Sequence, residues 1–248
     1  MPLRVYKKEH TSTKKKVVRV ASYVILLAGM GFLFWALYPI VSFELYARVF
    51  LKKGSASPLP ESESVSALEF AKSVYATNTL FSSNLRDFTN ANVWFPESKL
   101  PTPNGDLAVK SYTLSIPKLN LKGLDVEVGG EDLSKSLIHY LPTSIPGQYG
   151  NVAIFGHSTL PQLYNPKDYK TVFTYLSKLD IGDTININVE GKEYTYEVVD
   201  MFIVEPNEVS VLEQEFDDSY LTLVTCVPPG TYKERLIVKA KIVRNSNN

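Results

Sequence analysis

The sequence predicts a mainly β domain preceded by an N-terminal transmembrane helix, and two contrasting textures in the chain carry that reading. From about Ser111 onward, short apolar runs alternate with polar residues and are broken by Gly, Pro and Asn, the pattern of a small barrel or sandwich. Earlier, Val20 to Phe43 holds no charged residue, and roughly twenty apolar residues suffice to cross a bilayer. At 248 residues, with 44% hydrophobic and 12% aromatic side chains, the chain suits one packed domain plus appendages and is too apolar to be disordered throughout.

Residues 1–19 form a basic tail. Arg4, Lys7, Lys8, Lys14, Lys15, Lys16 and Arg19 stand there against Glu9 alone, in a chain of zero net charge. Directly before an apolar run, such a cluster orients a membrane span; no nucleic-acid motif follows, so nucleic acid is not an expected partner. The span 20–43 is longer than the roughly 7–15 apolar residues of a cleaved signal peptide, and Trp35, Tyr38 and Phe43 are placed as interfacial anchors. The expected topology is single-pass in the cell membrane, N-terminus cytoplasmic and everything after Phe43 extracellular.

Residues 44–110 read as a linker with a short helix and a strap. Gly54 to Ser64 is rich in Pro and Ser, Ser66–Tyr75 has helical spacing, and Val93-Trp94-Phe95-Pro96 is an apolar knot expected to lie on the following domain. Within residues 111–244, strands are expected at Tyr112–Leu119, Leu124–Val128, Val152–His157, Thr184–Val189, Tyr194–Val204, Tyr220–Cys226 and Arg235–Val243. Glu190-Gly191, between two alternating runs, predicts a tight hairpin. Short helices are expected at Glu131–Leu137 and Thr171–Leu179, and residues 245–248 form a tail.

Chemistry concentrates at predicted strand ends. Cys226 is the single cysteine, so no intrachain disulfide explains it; it ends Leu221-Thr-Leu-Val-Thr-Cys226, just before the break Val227-Pro-Pro-Gly230. Arg235 opens the next strand nine residues later, and a hairpin would bring its permanent charge beside the sulfur, favouring thiolate and able to meet a developing oxyanion. His157 closes Asn151-Val-Ala-Ile-Phe-Gly-His157, again at a strand end, whereas His139 in Ser136-Leu-Ile-His-Tyr-Leu-Pro142 reads as a hydrogen-bonded core residue. Together Cys, His and Arg make a set suited to nucleophilic acyl transfer. No metal-ligand spacing or phosphate loop is present. Glu127, Glu131, Asp132, Asp217 and Asp218 are scattered acids that fit a solvated face better than a calcium site, so no cofactor is expected.

The segment Leu221-Thr-Leu-Val-Thr-Cys-Val-Pro-Pro-Gly-Thr-Tyr-Lys-Glu-Arg-Leu-Ile-Val238 closely resembles the catalytic strand pair of sortases, and Asn151-Val-Ala-Ile-Phe-Gly-His157 resembles their histidine motif. Thr143 to Asn151 and Leu176 to Thr184 are similar to the flanking passages, so the likeness spans roughly residues 111–244. It implies an eight-stranded β-barrel with His157, Cys226 and Arg235 at one end. It further implies a cysteine transpeptidase that cleaves a C-terminal sorting signal resembling Leu-Pro-x-Thr-Gly through a thioester. The partners implied are surface or pilin-type proteins carrying that signal and an amine acceptor, from a cell-wall precursor or a pilin lysine. Thr225 would line the site and help orient oxyanion or substrate. The Cys226-x-Pro228-x-Gly230 spacing looks like the pilin-polymerising class, although no Asp-Pro-aromatic lid signature precedes the barrel and Ser158 follows His157 where several classes carry Arg or Thr. Two other readings keep the same domain: a membrane-tethered cysteine peptidase with water as acceptor, and a non-catalytic envelope-binding β-domain.

Overall fold

The computed structural model describes residues 13–53, 89–95 and 109–244. The expected tail up to residue 12, the linker 54–64, the helix at 66–75, Pro96 and the tail 245–248 lie outside the described residues. The chain divides into two compact units, one ending at Ser42 and one beginning at Phe43. The first consists of the greater part of α1 (Thr13–Phe50). Lys15–Phe50 is long and apolar enough to cross a membrane. Val24, Ile25, Leu27, Phe32 and Phe34 lie exposed along it, an apolar surface of the kind that marks a membrane or protein contact.

The second unit holds β1 (Lys52–Lys53), β2 (Ser111–Ile116), β3 (Leu121–Val128), β4 (Leu137–His139) and β5 (Gly150–Phe155), then β6 (Thr184–Val189), β7 (Lys192–Val204), β8 (Ser219–Val227) and β9 (Glu234–Ile242). Eight strands run in the order β7-β6-β2-β3-β4-β5-β8-β9, and β9 pairs back onto β7 to close the barrel. Closure leaves no long unpaired edge. β1 adds to β7 as a short parallel strand. The β6–β7 hairpin turns at Glu190 and Gly191, both in the left-handed region (φ 51° and 86°), as the turn that matches strand twist requires.

Strand alternation sorts the apolar side chains into two layers. Tyr112, Leu114 and Ile116 of β2, Val152 and Ile154 of β5, Ile185 and Ile187 of β6, and Leu221 and Leu223 of β8 belong to the main core. The opposite faces of β4, β5, β8 and β9 supply Ile138, Ala153, Phe155, Val224, Cys226 and Ile237 to a second cluster, capped by Ala91, Trp94 and Phe95 of the strap. β5 is therefore buried along its whole length.

Of the two short helices expected inside the barrel, the first does not form and the second is reduced to one 3-10 turn. At Glu131–Leu137, Asp132 bridges to Asn90 and its carboxylate accepts both the N–H and the hydroxyl of Ser134, a local turn that competes with helix. Leu137 already opens β4, a strand the pattern did not predict. At Thr171–Leu179 the Thr171 and Thr174 hydroxyls bond nearby carbonyls and only Leu176–Lys178 is 3-10 helical. Val172, Leu176 and Leu179 are nonetheless buried, so the apolar face packs without a full α-helix.

His139 is fully buried in β4. Its Nδ1 lies 3.0 Å from the Tyr112 hydroxyl and its Nε2 3.0 Å from that of Thr143, which itself donates to the Tyr140 carbonyl. Because the Thr143 proton is committed, Nε2 carries the imidazole proton and Nδ1 accepts from Tyr112, a neutral tautomer. Burial pulls this pKa down to about 4, whereas the unfolded chain's imidazole titrates near 6.5. Between those values the unfolded state binds more protons, so the stabilisation is complete above about pH 6.5 and is lost as pH falls toward 4. We expect denaturant unfolding to show about 2 kcal/mol less stability at pH 5 than at pH 7 from this residue, with His157 adding in the same direction. A flat profile would mean that the buried imidazole carries charge.

Candidate active site

β5 and β8 run parallel in register from Gly150↔Ser219 to Phe155↔Val224. Extending that register two residues sets His157 beside Cys226. Cys226 is in turn the antiparallel partner of Arg235 on β9. All three positions share the parity of Phe155, Val224 and Ile237 and so face the second cluster. One row across three adjacent strand ends thus joins residues far apart in sequence, as the strand-end reading expects. Thr225 faces the other way, its hydroxyl donating to the Gly156 carbonyl at 2.7 Å. Gly156 has no room for a side chain: a Cβ there would approach Phe173 to 2.4 Å and Leu137 to 2.7 Å.

The strap covers this row. Two backbone bonds, Ala91 N–H to Glu131 carbonyl and Leu133 N–H to Thr89 carbonyl, both 2.9 Å, tie it to the β3–β4 connection. Trp94 lies parallel to Phe155 (centroids 5.6 Å apart, planes 7° apart), 5.5 Å from the His157 ring and 5.4 Å from the Arg235 guanidinium carbon. Beneath it Cys226 is 1% exposed, Arg235 2% and His157 6%. The sequence signalled an apolar knot at Val93-Trp94-Phe95. Its placement over these three side chains depends on long-range pairing that periodicity does not report.

Burial decides the charge states. It pushes the Cys226 thiol up to about 11, against the pull of Arg235. It draws His157 down to about 4; Lys170 adds to that fall, and Asp132 and Asp168 oppose it. At neutral pH the pair is therefore thiol and neutral imidazole. His157 Nε2 and Arg235 Nε have no hydrogen-bond partner among the described residues.

Arg235 donates through Nη1 to the Tyr232 and Glu234 carbonyls at 3.1 and 3.2 Å, and through Nη2 to the Trp94 carbonyl at 3.2 Å. Among the described residues no carboxylate pairs with it, and burial lowers its pKa. A buried guanidinium held only by carbonyls is a ready partner for an anion, and one of its present acceptors belongs to the strap. A thiol, an imidazole and a guanidinium in one row are the groups that acyl transfer through a thioester uses. Among the described residues, no three or more His, Cys, Asp and Glu side chains are grouped to hold a metal ion.

Comparison with known proteins gives this arrangement a family. The model of the sortase domain matches residues 114–243, more than half of the chain. Sortase D of Bacillus subtilis is 30% identical over 137 residues, covering 54% of this chain and 64% of that protein. Sortase A of Streptococcus agalactiae is 28% identical over 138 residues, 56% of this chain and 52% of that protein. The matched regions thus span about half to two-thirds of these relatives' lengths. Sortase C-1 of Actinomyces oris superposes with a TM-score of 0.51 at 25% identity, over 70% of this chain and 99% of that structure. Sortase A of Corynebacterium diphtheriae, at 23% identity and a TM-score of 0.51 over 71% of this chain and 86% of that structure, shares the fold. With its closed barrel and its matching domain, the chain belongs to the sortase family.

Proposed function

We propose that the protein is a membrane-anchored cysteine transpeptidase that cleaves a C-terminal sorting signal of the Leu-Pro-x-Thr-Gly type and passes the acyl group to an amine at the cell surface. The observation that carries this reading is the single row His157–Cys226–Arg235 across the ends of β5, β8 and β9. Cys226 is the nucleophile on the Thr carbonyl of the signal. Arg235 meets the oxyanion with the guanidinium edge that now serves the Trp94 carbonyl. His157 protonates the departing amine, and the thioester is then opened by an incoming amine that gives its proton back to the imidazole. These side chains supply the whole reaction, with no cofactor. A pilin-type protein with a lysine acceptor is one candidate pair of partners; a surface protein and a cell-wall precursor amine are the other. The N-terminal helix anchors the chain with residues 1–19 on the cytoplasmic side and the barrel outside, where such substrates lie.

The strap must leave for this chemistry to start. Substrate has no path to a sulfur that is 1% exposed. Readmitting water would lower the thiol pKa and raise that of the imidazole, bringing the two toward each other. Strap departure therefore opens the site and also favours the thiolate–imidazolium pair.

Following a labelled sorting-type peptide with and without an added amine tests the transfer. Wild-type chain should form an amine-linked product and Cys226→Ala none. Cleavage that ignores the amine would make the protein a peptidase, and a folded chain that leaves the peptide untouched would favour a binding domain. Arg235→Lys, which exchanges a planar fork for a point charge, should lower kcat/KM by about 100-fold or more. Wild-type turnover in that variant would remove Arg235 from the oxyanion. Trp94→Ala should speed alkylation of Cys226 at pH 7 by about tenfold or more; an unchanged rate would mean that Trp94 does not control access.

A further inference from the structure

The pairing of β5 with β8 does not stop where the strand does. Its last backbone bond on this side runs from the Gly156 N–H to the Val224 carbonyl at 3.1 Å. In a parallel ladder the Cys226 carbonyl, two residues further on, would next accept the N–H of residue 158. Instead Ser158 donates its side-chain hydroxyl to that carbonyl, at 2.5 Å. The chain can then turn out of the strand at His157 while its end stays tied to the residue that bears the thiol. On the other side of the departing segment, the Phe173 N–H bonds the His157 carbonyl at 2.9 Å and the Thr159 N–H bonds the Thr174 hydroxyl at 3.0 Å. Thr225 mirrors the tie one residue back, through the Gly156 carbonyl. Two hydroxyls thus bracket the His157–Cys226 level, each crossing between the two strand ends.

We propose that Ser158 is a positioning residue for the acyl transfer described above: its bond to the Cys226 carbonyl sets how closely the His157 imidazole approaches the sulfur. The inference rests on that reading of the site, because it assigns no bond to substrate. Proton exchange between sulfur and imidazole depends on separation at the sub-ångström level. The tie acts between the two backbones that carry these groups, so its loss should slow the chemical steps and leave peptide binding in place.

The test compares Ser158→Thr with Ser158→Val, which have the same shape and differ in the hydroxyl, and adds Ser158→Ala. Steady-state transfer of a labelled Leu-Pro-x-Thr-Gly-type peptide to a saturating amine is measured on the full chain in detergent, with thermal unfolding alongside. Thr should keep kcat within about threefold of wild type, while Val and Ala lower it by about tenfold with KM unchanged within about twofold. Wild-type kcat in Val or Ala would overturn the proposal, as would a Thr variant as slow as Val. Val and Ala variants that fail to fold, or that lose kcat, KM and melting temperature together, would make the bond structural and overturn it too. A wild-type chain that transfers no peptide would sink the acyl-transfer reading first, before any variant is compared.

Discussion

Parallel pairing of β5 with β8 is the constraint on which the site depends. A parallel pair cannot be joined by a tight turn, and here a long excursion from Gly156 to Asp218, including β6 and β7, separates the two strands. Their common direction is what lets both end at the same rim, so that a histidine and a cysteine 69 residues apart emerge side by side. β9, antiparallel to β8, then begins at that rim and delivers Arg235 opposite Cys226. Closure of the barrel through β7 and β9 holds the three strand ends in place. Complete burial of β5 makes its register costly to slip, since a shift of one residue would exchange the side chains of the two layers.

Electrostatics and packing pull in opposite directions at this rim. The second apolar layer stabilises the barrel by burying Trp94, Phe95 and Phe155, yet it also encloses a thiol, an imidazole and a guanidinium whose charged forms burial disfavours. The resting protein resolves the conflict by keeping sulfur and imidazole neutral, with pKa values of about 11 and about 4. It satisfies most of Arg235 with carbonyls, including that of Trp94. The described part of the strap is joined to the β3–β4 connection by the Asn90–Asp132 bridge, made of two backbone bonds, and by the Asn90 side-chain amide, which donates to the Glu131 carboxylate at 3.4 Å. The acceptor that the strap offers Arg235 is a peptide carbonyl, so another peptide carbonyl reaching the guanidinium would be chemically equivalent to it.

Much of this was legible in the chain, for identifiable reasons. Alternation at Ile185, Ile187 and Val189 and the Glu190-Gly191 turn are local signals, and the β6–β7 hairpin follows them. Strand-ending Cys226 and His157 were visible because loop residues follow them at once. Three residues of β4, by contrast, carry too little periodicity to declare a strand, and Glu131–Leu137 has helix-like composition overridden by the Asp132–Ser134 turn. The reach of Trp94 across His157 and Arg235, and the Ser158 hydroxyl on the Cys226 carbonyl, depend on pairings between segments distant in sequence. No single-chain pattern encodes those contacts.

In the proposed reaction the Cys226 sulfur acts covalently from within this row. Intact-mass measurement after mixing the Trp94→Ala chain with a sorting-signal peptide, in the absence of amine, tests it most directly. A mass increase equal to the acyl fragment is expected, located on Cys226 and released by hydroxylamine. A folded chain that shows cleaved peptide with no adduct on Cys226, or an adduct on any other residue, would contradict it.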